Sequence, residues 1–243
     1  MPRKAQTESV ADVNAAPGGA AAVDRSMALL AAFREGDESL GLAELAERTR
    51  LYKSTVLRLI ASLVHGGMVQ QRGDGRYALG SEIARLYGVY AASFALDRVV
   101  LPALHALVAA TGESAAYHVR QGDARLCLYR VDSPHPIRDH VRAGEVLPLH
   151  RGTGGRVLVA FDAALLQEAP ARERKLYRQI AAQGFHAATG DRLAEVAGIS
   201  APVFRQDRQI AGALTLTMPA HRYKDAYIAK VVRAAADLSG KLP

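Results

Sequence analysis

The sequence predicts an α+β fold in two parts, a small helical module ending in a hairpin and a larger domain of interspersed strands and helices. Three observations predict it. Residues 41–80 carry two short helix-period stripes followed by a glycine-rich turn between strand-like runs. Residues 81–96 read as one amphipathic helix with bulky apolar residues on one side. From about Asp97 onward, strand-period runs alternate with helical ones over some 145 residues, long enough for a core of their own.

Within residues 41–80, Leu42, Leu45 and Ala46 fall at i, i+3, i+4, and a break follows at Leu51-Tyr52. A second helix runs from about Lys53 to His65. Its apolar residues Val56, Leu57, Ile60, Leu63 and Val64 are expected on one buried face, with Ser54, Thr55, Arg58 and Ser62 opposite. Gly66-Gly67 end it, since glycine accepts the left-handed conformation of a helix end. Met68 to Arg72 and Arg76 to Leu79 flank Gly73-Asp74-Gly75 as a hairpin.

Helix, turn, helix and hairpin is the order of a winged helix-turn-helix, whose second helix enters the major groove of DNA. Charge agrees: from Arg48 to Arg76 the chain holds Arg48, Arg50, Lys53, Arg58, Arg72 and Arg76 against only Asp74. Small polar residues around one guanidinium differ from the Glu/Lys mixture of a merely solvated face. Arginines beside the hairpin tip suit a wing along a phosphate backbone. The DNA-contacting residues expected are Lys53, Ser54, Thr55 and Arg58 on the helix, and Arg72 and Arg76 on the wing, with double-stranded operator DNA as partner.

Upstream, Val23, Met27 and Leu30 predict a supporting helix that ends near Gly36, with Asp24 able to cap it. Residues 1–22 are rich in Ala, Gly and small polar residues and lack an apolar signal core, so they are expected to form a disordered tail. Downstream, Ile83, Leu86, Tyr87, Tyr90 and Phe94 form the stripe of the 81–96 linker helix. Packing of that stripe on a second copy would set two recognition helices on one duplex, which predicts a dimer. The predicted division is therefore 23–80, 81–96 and 97–243.

In the larger domain a helix carries Val99, Val100, Ala103, Leu104, Leu107 and Val108, with Pro102 near its start or kinking it. Strands are expected at 115–120, 126–131, 146–149, 196–204 and 210–218. Helices are expected from Val157, over 172–182, and around Tyr227, Val231, Ala234, Ala235 and Leu238.

Composition bounds the rest. The chain has 243 residues, 49% hydrophobic, with net charge +7 and pI near 9.7. That charge permits a polyanionic partner without locating it. No run approaches the roughly 20 apolar residues of a membrane span, so no membrane partner is expected. A single cysteine, Cys127, forms no internal disulfide, and a reducing cytoplasm is the expected location.

Catalysis finds no constellation. Cys127 lies in an alternating strand as a small core residue, and no two of the eight histidines have zinc-like spacing. Gly152-Thr153-Gly154-Gly155 lacks the Lys-Ser/Thr of a phosphate-binding loop, and no serine elbow is present. Neither an enzyme nor a cofactor is expected. The competing reading is a small-molecule-binding protein or enzyme that uses its helix-turn-helix for protein contacts.

Several motifs in one order carry a resemblance across residues 23–240. They are Leu42 to Ala46; Lys53-Ser54-Thr55 with Arg58-Leu59; Gly75 to Gly80; Thr111-Gly112-Glu113; Leu147 to His150; Gly155 to Leu158; and Ile199 to Phe204. The chain resembles the IclR-type bacterial transcriptional regulators. The resemblance implies a winged helix-turn-helix joined by a linker helix to a GAF-like effector-binding domain. It also implies dimers or tetramers whose operator occupancy responds to a small organic acid or aromatic carboxylate. Carried over, the effector site comprises Thr153, Gly154 and Gly155 at a helix start, Val196 and Gly198, and Thr215 and Thr217. A helix start suits an anion independently of any family. Thr215 and Thr217, at i, i+2, share a sheet face from which two hydroxyls could bind a carboxylate. The chain departs from the family's pattern at Arg156, Ala188 and Gly198.

Overall fold

The computed structural model describes residues 8–34, 36–94 and 96–242. They divide into two compact units, with the boundary between Ser93 and Phe94.

The first unit contains α1 (Val10–Val13), α2 (Ala21–Ala31), α3 (Leu42–Thr49), α4 (Lys53–His65), β1 (Val69–Gln71), β2 (Tyr77–Leu79) and α5 (Ser81–Phe94). Leu29, Leu40, Leu45, Val56, Leu59, Ile60, Val69 and Tyr77 make its core. Helix α3 starts where the Glu44 carboxylate accepts the Gly41 N–H at 2.8 Å, and it stops at Arg50, which takes a left-handed conformation with φ 56°. β1 and β2 pair antiparallel, Gln71 opposite Tyr77, and Leu40 bridges to Tyr77 as a third short rung.

Three expectations change here. On α4, Leu57 is 48% exposed and Leu59 is buried in its place, because Val56, Leu59, Ile60 and Leu63 give the i, i+3, i+4, i+7 stripe that one face requires. On α2, Val23 and Met27 are exposed and Leu29 is the buried residue; Asp24 does not cap, since the cap position is Ala20 and Asp24 accepts the Ala16 N–H instead. Residues 8–22 are not a featureless tail: the Ser9 hydroxyl caps α1 through the Asp12 N–H, Ala11 is buried, and Arg25 of α2 pairs with Asp12 at 2.9 Å. The first seven residues of the expected tail, and the side chain of Phe94, lie outside the described residues.

The second unit contains α6 (Leu96–Thr111), β3 (Ser114–Gln121), β4 (Ala124–Val131), β5 (Val146–Pro148), α7 (Thr153–Ala160), α8 (Ala163–Glu168), α9 (Ala171–Gln183), β6 (His186–Thr189), β7 (Val196–Phe204), β8 (Ile210–Pro219) and α10 (Ala226–Leu238). Six strands form one antiparallel sheet in the order β5-β4-β3-β8-β7-β6. Helices α6 and α10 cover one face and α7, backed by α8 and α9, covers the other. Successive residues of β8 therefore enter different cores: Ala213 packs with α7, Leu214 with α6 and α10.

Helix α7 lies unusually close to its neighbours at its first turn. A Cβ on Gly155 would stand 2.1 Å from the Leu149 carbonyl oxygen, and one on Gly198 would stand 2.6 Å from Thr153 Oγ1. Only glycine allows that approach. Gly155→Ala is accordingly expected to cost about 1–3 kcal/mol, as overpacking a close-packed site does. Gly88→Ala on α5, where a Cβ meets nothing within 4 Å, should stabilise by up to about 1 kcal/mol through helix propensity. Calorimetry of both variants measures the contrast, and equal melting temperatures would contradict the packing described.

Candidate functional site

In the first unit the polar side of α4 is open to solvent. Lys53, Ser54 and Arg58 are exposed and Thr55 is half-buried, with Leu57 between them. The helix begins at Tyr52 without a side-chain cap, so its first-turn N–H groups point outward, and the Tyr52 ring is exposed beside them. Thus the four expected helix residues share one face with two apolar groups that the periodicity had assigned elsewhere or overlooked.

The arginines divide into two kinds. Arg72 at the hairpin is exposed, and neither it nor Arg58 makes an ion pair among the described residues. Arg76 is committed internally. Its Nε donates to Ser39 Oγ at 3.0 Å, and its Nη2 donates to the Ser39 carbonyl at 2.8 Å and to Glu44 at 2.9 Å. It ties the hairpin to the start of α3, a structural task that the sequence did not assign to it. Arg48 is held likewise by Asp37 and the Ala32 carbonyl. The acids that neutralise these two lie before residue 48, outside the span in which the charges were counted.

In the second unit a cleft opens between the first turn of α7 and strands β3, β4, β7 and β8. It has a volume of about 430 Å³, mouth included. Thr153, Val196, Gly198, Thr215 and Thr217 line it, as the resemblance implied. Gly154 and Gly155 do not: Gly154 leaves room for Arg125, and Gly155 serves the contact of α7 with Leu149. Gly198 acts by leaving room for Thr153, and it sits opposite Ala188 on β6.

Hydroxyl chemistry alters one expectation. Ser200 Oγ donates to Thr153 Oγ1 at 2.8 Å and lies 2.8 Å from Thr215 Oγ1. A hydroxyl has one proton. With the Ser200 proton on Thr153, Thr215 must donate to Ser200 and has none left for a carboxylate. The Thr215/Thr217 pair therefore does not supply two donors. Thr153 keeps its own proton.

The strongest groups in the cleft were missed by sequence reasoning. Arg125 of β4 is 3% exposed, and its one hydrogen bond among the described residues is from Nε to the Pro148 carbonyl at 3.3 Å. It has no carboxylate partner among the described residues. Burial and the nearby Arg192 charge push its pKa down to about 10. A Cβ on Gly152 would stand 2.8 Å from its Nη2, and one on Gly154 2.7 Å from its Nη1. The guanidinium thus lies across the N-terminal end of α7, where the helix dipole is already positive.

His118 of β3 completes the niche. It is 3% exposed, and neither ring nitrogen has a hydrogen-bond partner among the described residues. Burial first, then the charge of Arg125, hold its pKa well below the ordinary value, so the ring is neutral. Arg125 Nη1, Thr215 Oγ1 and His118 Nδ1 lie 2.7, 2.8 and 3.2 Å from the one point where a Cβ of residue 154 would be. The other charges nearby are matched. Arg130 pairs with Asp139, Arg156 donates to both oxygens of Asp191, and Arg192 stands 3.7 Å from Asp139. A signal for Arg125 did exist: it shares the inward phase of β4 with Cys127, an odd place for a guanidinium.

Cys127 is buried and its thiol is pushed up to about 12 by burial, so it is protonated and inert. Among the described residues no helix is long and apolar enough to cross a membrane.

Comparison with known proteins places both units together. Residues 22–73 match the IclR helix-turn-helix domain and residues 89–178 match the bacterial transcriptional regulator IclR C-terminal domain, together more than half of the chain. The glycerol operon regulatory protein of Streptomyces coelicolor is 28% identical over 211 residues, spanning 80% of this chain and 83% of that protein. Among solved structures, an IclR transcriptional regulator from Alicyclobacillus acidocaldarius aligns with a TM-score of 0.76 at 21% identity, covering 92% of this chain and 97% of that one. An IclR homologue from Microbacterium hydrocarbonoxydans, complexed with 4-hydroxybenzoate, aligns with a TM-score of 0.76 at 22% identity, covering 90% and 97%. The chain belongs to the IclR family of bacterial transcriptional regulators, with an N-terminal helix-turn-helix domain for DNA and a C-terminal domain for an effector.

Proposed function

We propose that this regulator reads its operator with the α4 face of Lys53, Ser54, Thr55 and Arg58, steadied by Arg72 of the wing, and responds in the cytoplasm to a small organic acid bound in the second unit's cleft. Arg125 carries the effector half of the proposal. A buried cation without an acid, laid over a positive helix end, is stable only to the extent that something negative joins it. The α7 N–H groups, the Thr153 hydroxyl and the neutral His118 ring surround the same space and can all donate to an anion. The complex of the Microbacterium homologue with 4-hydroxybenzoate fits a carboxylate ligand for a cleft of this kind. No catalytic step is assigned.

Leu57 and Tyr52 extend the DNA face. An apolar side chain between polar ones suits contact with a thymine methyl group, which gives direct readout without a hydrogen bond. The exposed Leu86 and Tyr87 of α5 support self-association, as a dimer or tetramer, through that helix.

Three outcomes check these assignments. Arg58→Ala should cost about 1–3 kcal/mol of operator affinity if its guanidinium grips a base in bidentate fashion. Arg72→Ala should instead reduce the slope of log affinity against log salt by about 1, on every sequence alike. Arg76→Ala should lower the melting temperature, which neither of the others does. Mobility shifts over a salt series, with thermal melts beside them, separate the three.

For the cleft, Arg125→Met should raise the melting temperature of the ligand-free protein by removing an unpaired buried charge, and should abolish the rise that organic acids produce in the parent chain. If acids stabilise both proteins equally, the anion site is elsewhere. Tyr87→Glu should shift sedimentation toward the monomer and weaken operator binding; an unchanged sedimentation profile removes α5 from the interface.

A further inference from the structure

We infer that the effector is an amphipathic monocarboxylate: its head sits in the Arg125 and His118 niche, and its apolar body lies in a vestibule beneath Ile137 and Leu193. This rests on the proposal that the cleft binds an organic acid, and adds the rest of the ligand to it.

The cleft does not end at the niche. Asp139, Val141, Arg192 and Val196 line both the cleft and an adjoining second hollow of about 660 Å³, mouth included. Ile137, Val141, Leu193, Val196 and Pro219 supply its apolar wall. Arg138, His140, Glu145 and Glu195 are interspersed with them. Among the described residues of this unit the exposed large hydrophobic side chains are Ile137 (68%), Val146 and Leu193 (49%), and two of those three stand at this hollow. Apolar side chains gathered at one concavity, continuous with a polar niche, are what a ligand with one charged and one greasy end requires. Ile137 is not there by loop wandering. Arg222 Nη2 donates to the Ile137 carbonyl at 3.0 Å while the same guanidinium clamps the buried Glu113 carboxylate at 2.7 and 2.8 Å.

Charge selects a single carboxylate. Arg125 is the one cation at the niche without an acid among the described residues, since Arg130 has Asp132, Arg156 has Asp191, and Arg192 has Asp139, which it shares with Arg130. One negative group balances it. A second, further along the ligand, would meet the carboxylates of Asp139, Glu145 and Glu195, while the two guanidinium groups there, Arg138 and Arg192, already face Asp132 and Asp139. The neutral His118 ring suits the head, because an uncharged imidazole offers an N–H to the carboxylate while leaving the single charge balance intact.

Calorimetric titration of the full-length protein with sodium salts of straight-chain acids, from acetate to octanoate, with succinate and 4-hydroxybenzoate alongside, tests this. Affinity is expected to climb roughly fourfold per methylene once the chain passes Asp139, the transfer value for burying a CH₂, and succinate should bind more weakly than butyrate. Leu193→Asp and Ile137→Asp, both at exposed positions, should flatten that climb while the shortest acids bind as before. Arg125→Met should remove binding across the series. Affinity independent of chain length in the parent protein overturns the inference and leaves the anion site standing. A series that Arg125→Met binds as well as the parent, or one that the parent does not bind at all, overturns both. If the Asp substitutions alter sedimentation and leave the climb unchanged, the hollow is a surface between copies and the inference fails.

Discussion

A guanidinium held out of water at the positive end of a helix is the constraint around which the second unit is arranged. Arg125 reaches that position because β4 carries it on the phase that faces α7, and because glycines at 152 and 154, on either side of Thr153, have no side chain to obstruct it. Gly152 and Gly154 leave room for its two terminal nitrogens, Gly155 lets the helix press on the Leu149 carbonyl, and Gly198 makes space for Thr153. These close approaches leave a niche whose walls are donors and whose interior charge is unmatched. Burial alone disfavours the charged guanidinium, which is why its pKa falls, and the helix dipole adds to the cost. Arg130, with Asp132 and Asp139 at hand, shows the ordinary solution a few residues along the same strand.

The same distinction between matched and unmatched arginines organises the first unit. Arg48 and Arg76 look like their neighbours in sequence, yet each is spent on the fold: one closes α3 against the end of α2, the other fastens the hairpin to the cap of α3 through Glu44. Glu44 serves twice, accepting from Gly41 as well as from Arg76, and the Gly41 N–H first and then Arg76 lower its pKa. A rigid hairpin is what lets Arg72 be presented at a fixed distance from Arg58. The wing's reach thus depends on an arginine that does not itself reach.

Long elements with punctuated ends were legible in the sequence. The helices at 53–65 and 171–183, the β3–β4 hairpin, and the β7–β8 pair all follow from period and turn residues. Short or weakly patterned ones were not: α8 is six residues of Ala, Leu, Gln and Glu, and β6 is His-Ala-Ala-Thr, which alternates nothing. Helix phase failed where apolar residues exceeded the buried face, as with Leu57 beside Val56, since only a partner surface decides which one turns inward. The site divided in the same way. A glycine-rich turn before an apolar run announces a helix start, so Thr153 and Gly154 could be found. Arg125 sits on the buried phase of β4 beside Cys127, a signal easily passed over, and His118 lies in β3, where five successive buried residues erase alternation. Their importance comes from what they lack, and a missing partner is visible only in three dimensions.

That lack also bounds what an effector can do. A ligand moves an equilibrium only by the difference in its affinity for the two states. An acid in the niche would touch β3, β4 and the start of α7 at once, and the interaction it relieves, a desolvated cation against a positive helix end, exists only while those elements are assembled. Any state in which α7 withdraws from β4 loses both the mismatch and the anion site. The acid therefore favours the assembled cleft, by an amount that grows as RT ln(1 + [L]/Kd). A ligand that filled the vestibule without a charged head would leave the mismatch in place, and its grip would depend on apolar area alone. For the ligand proposed, the charged end would give the signal its direction, and the apolar end would set the concentration at which it is felt.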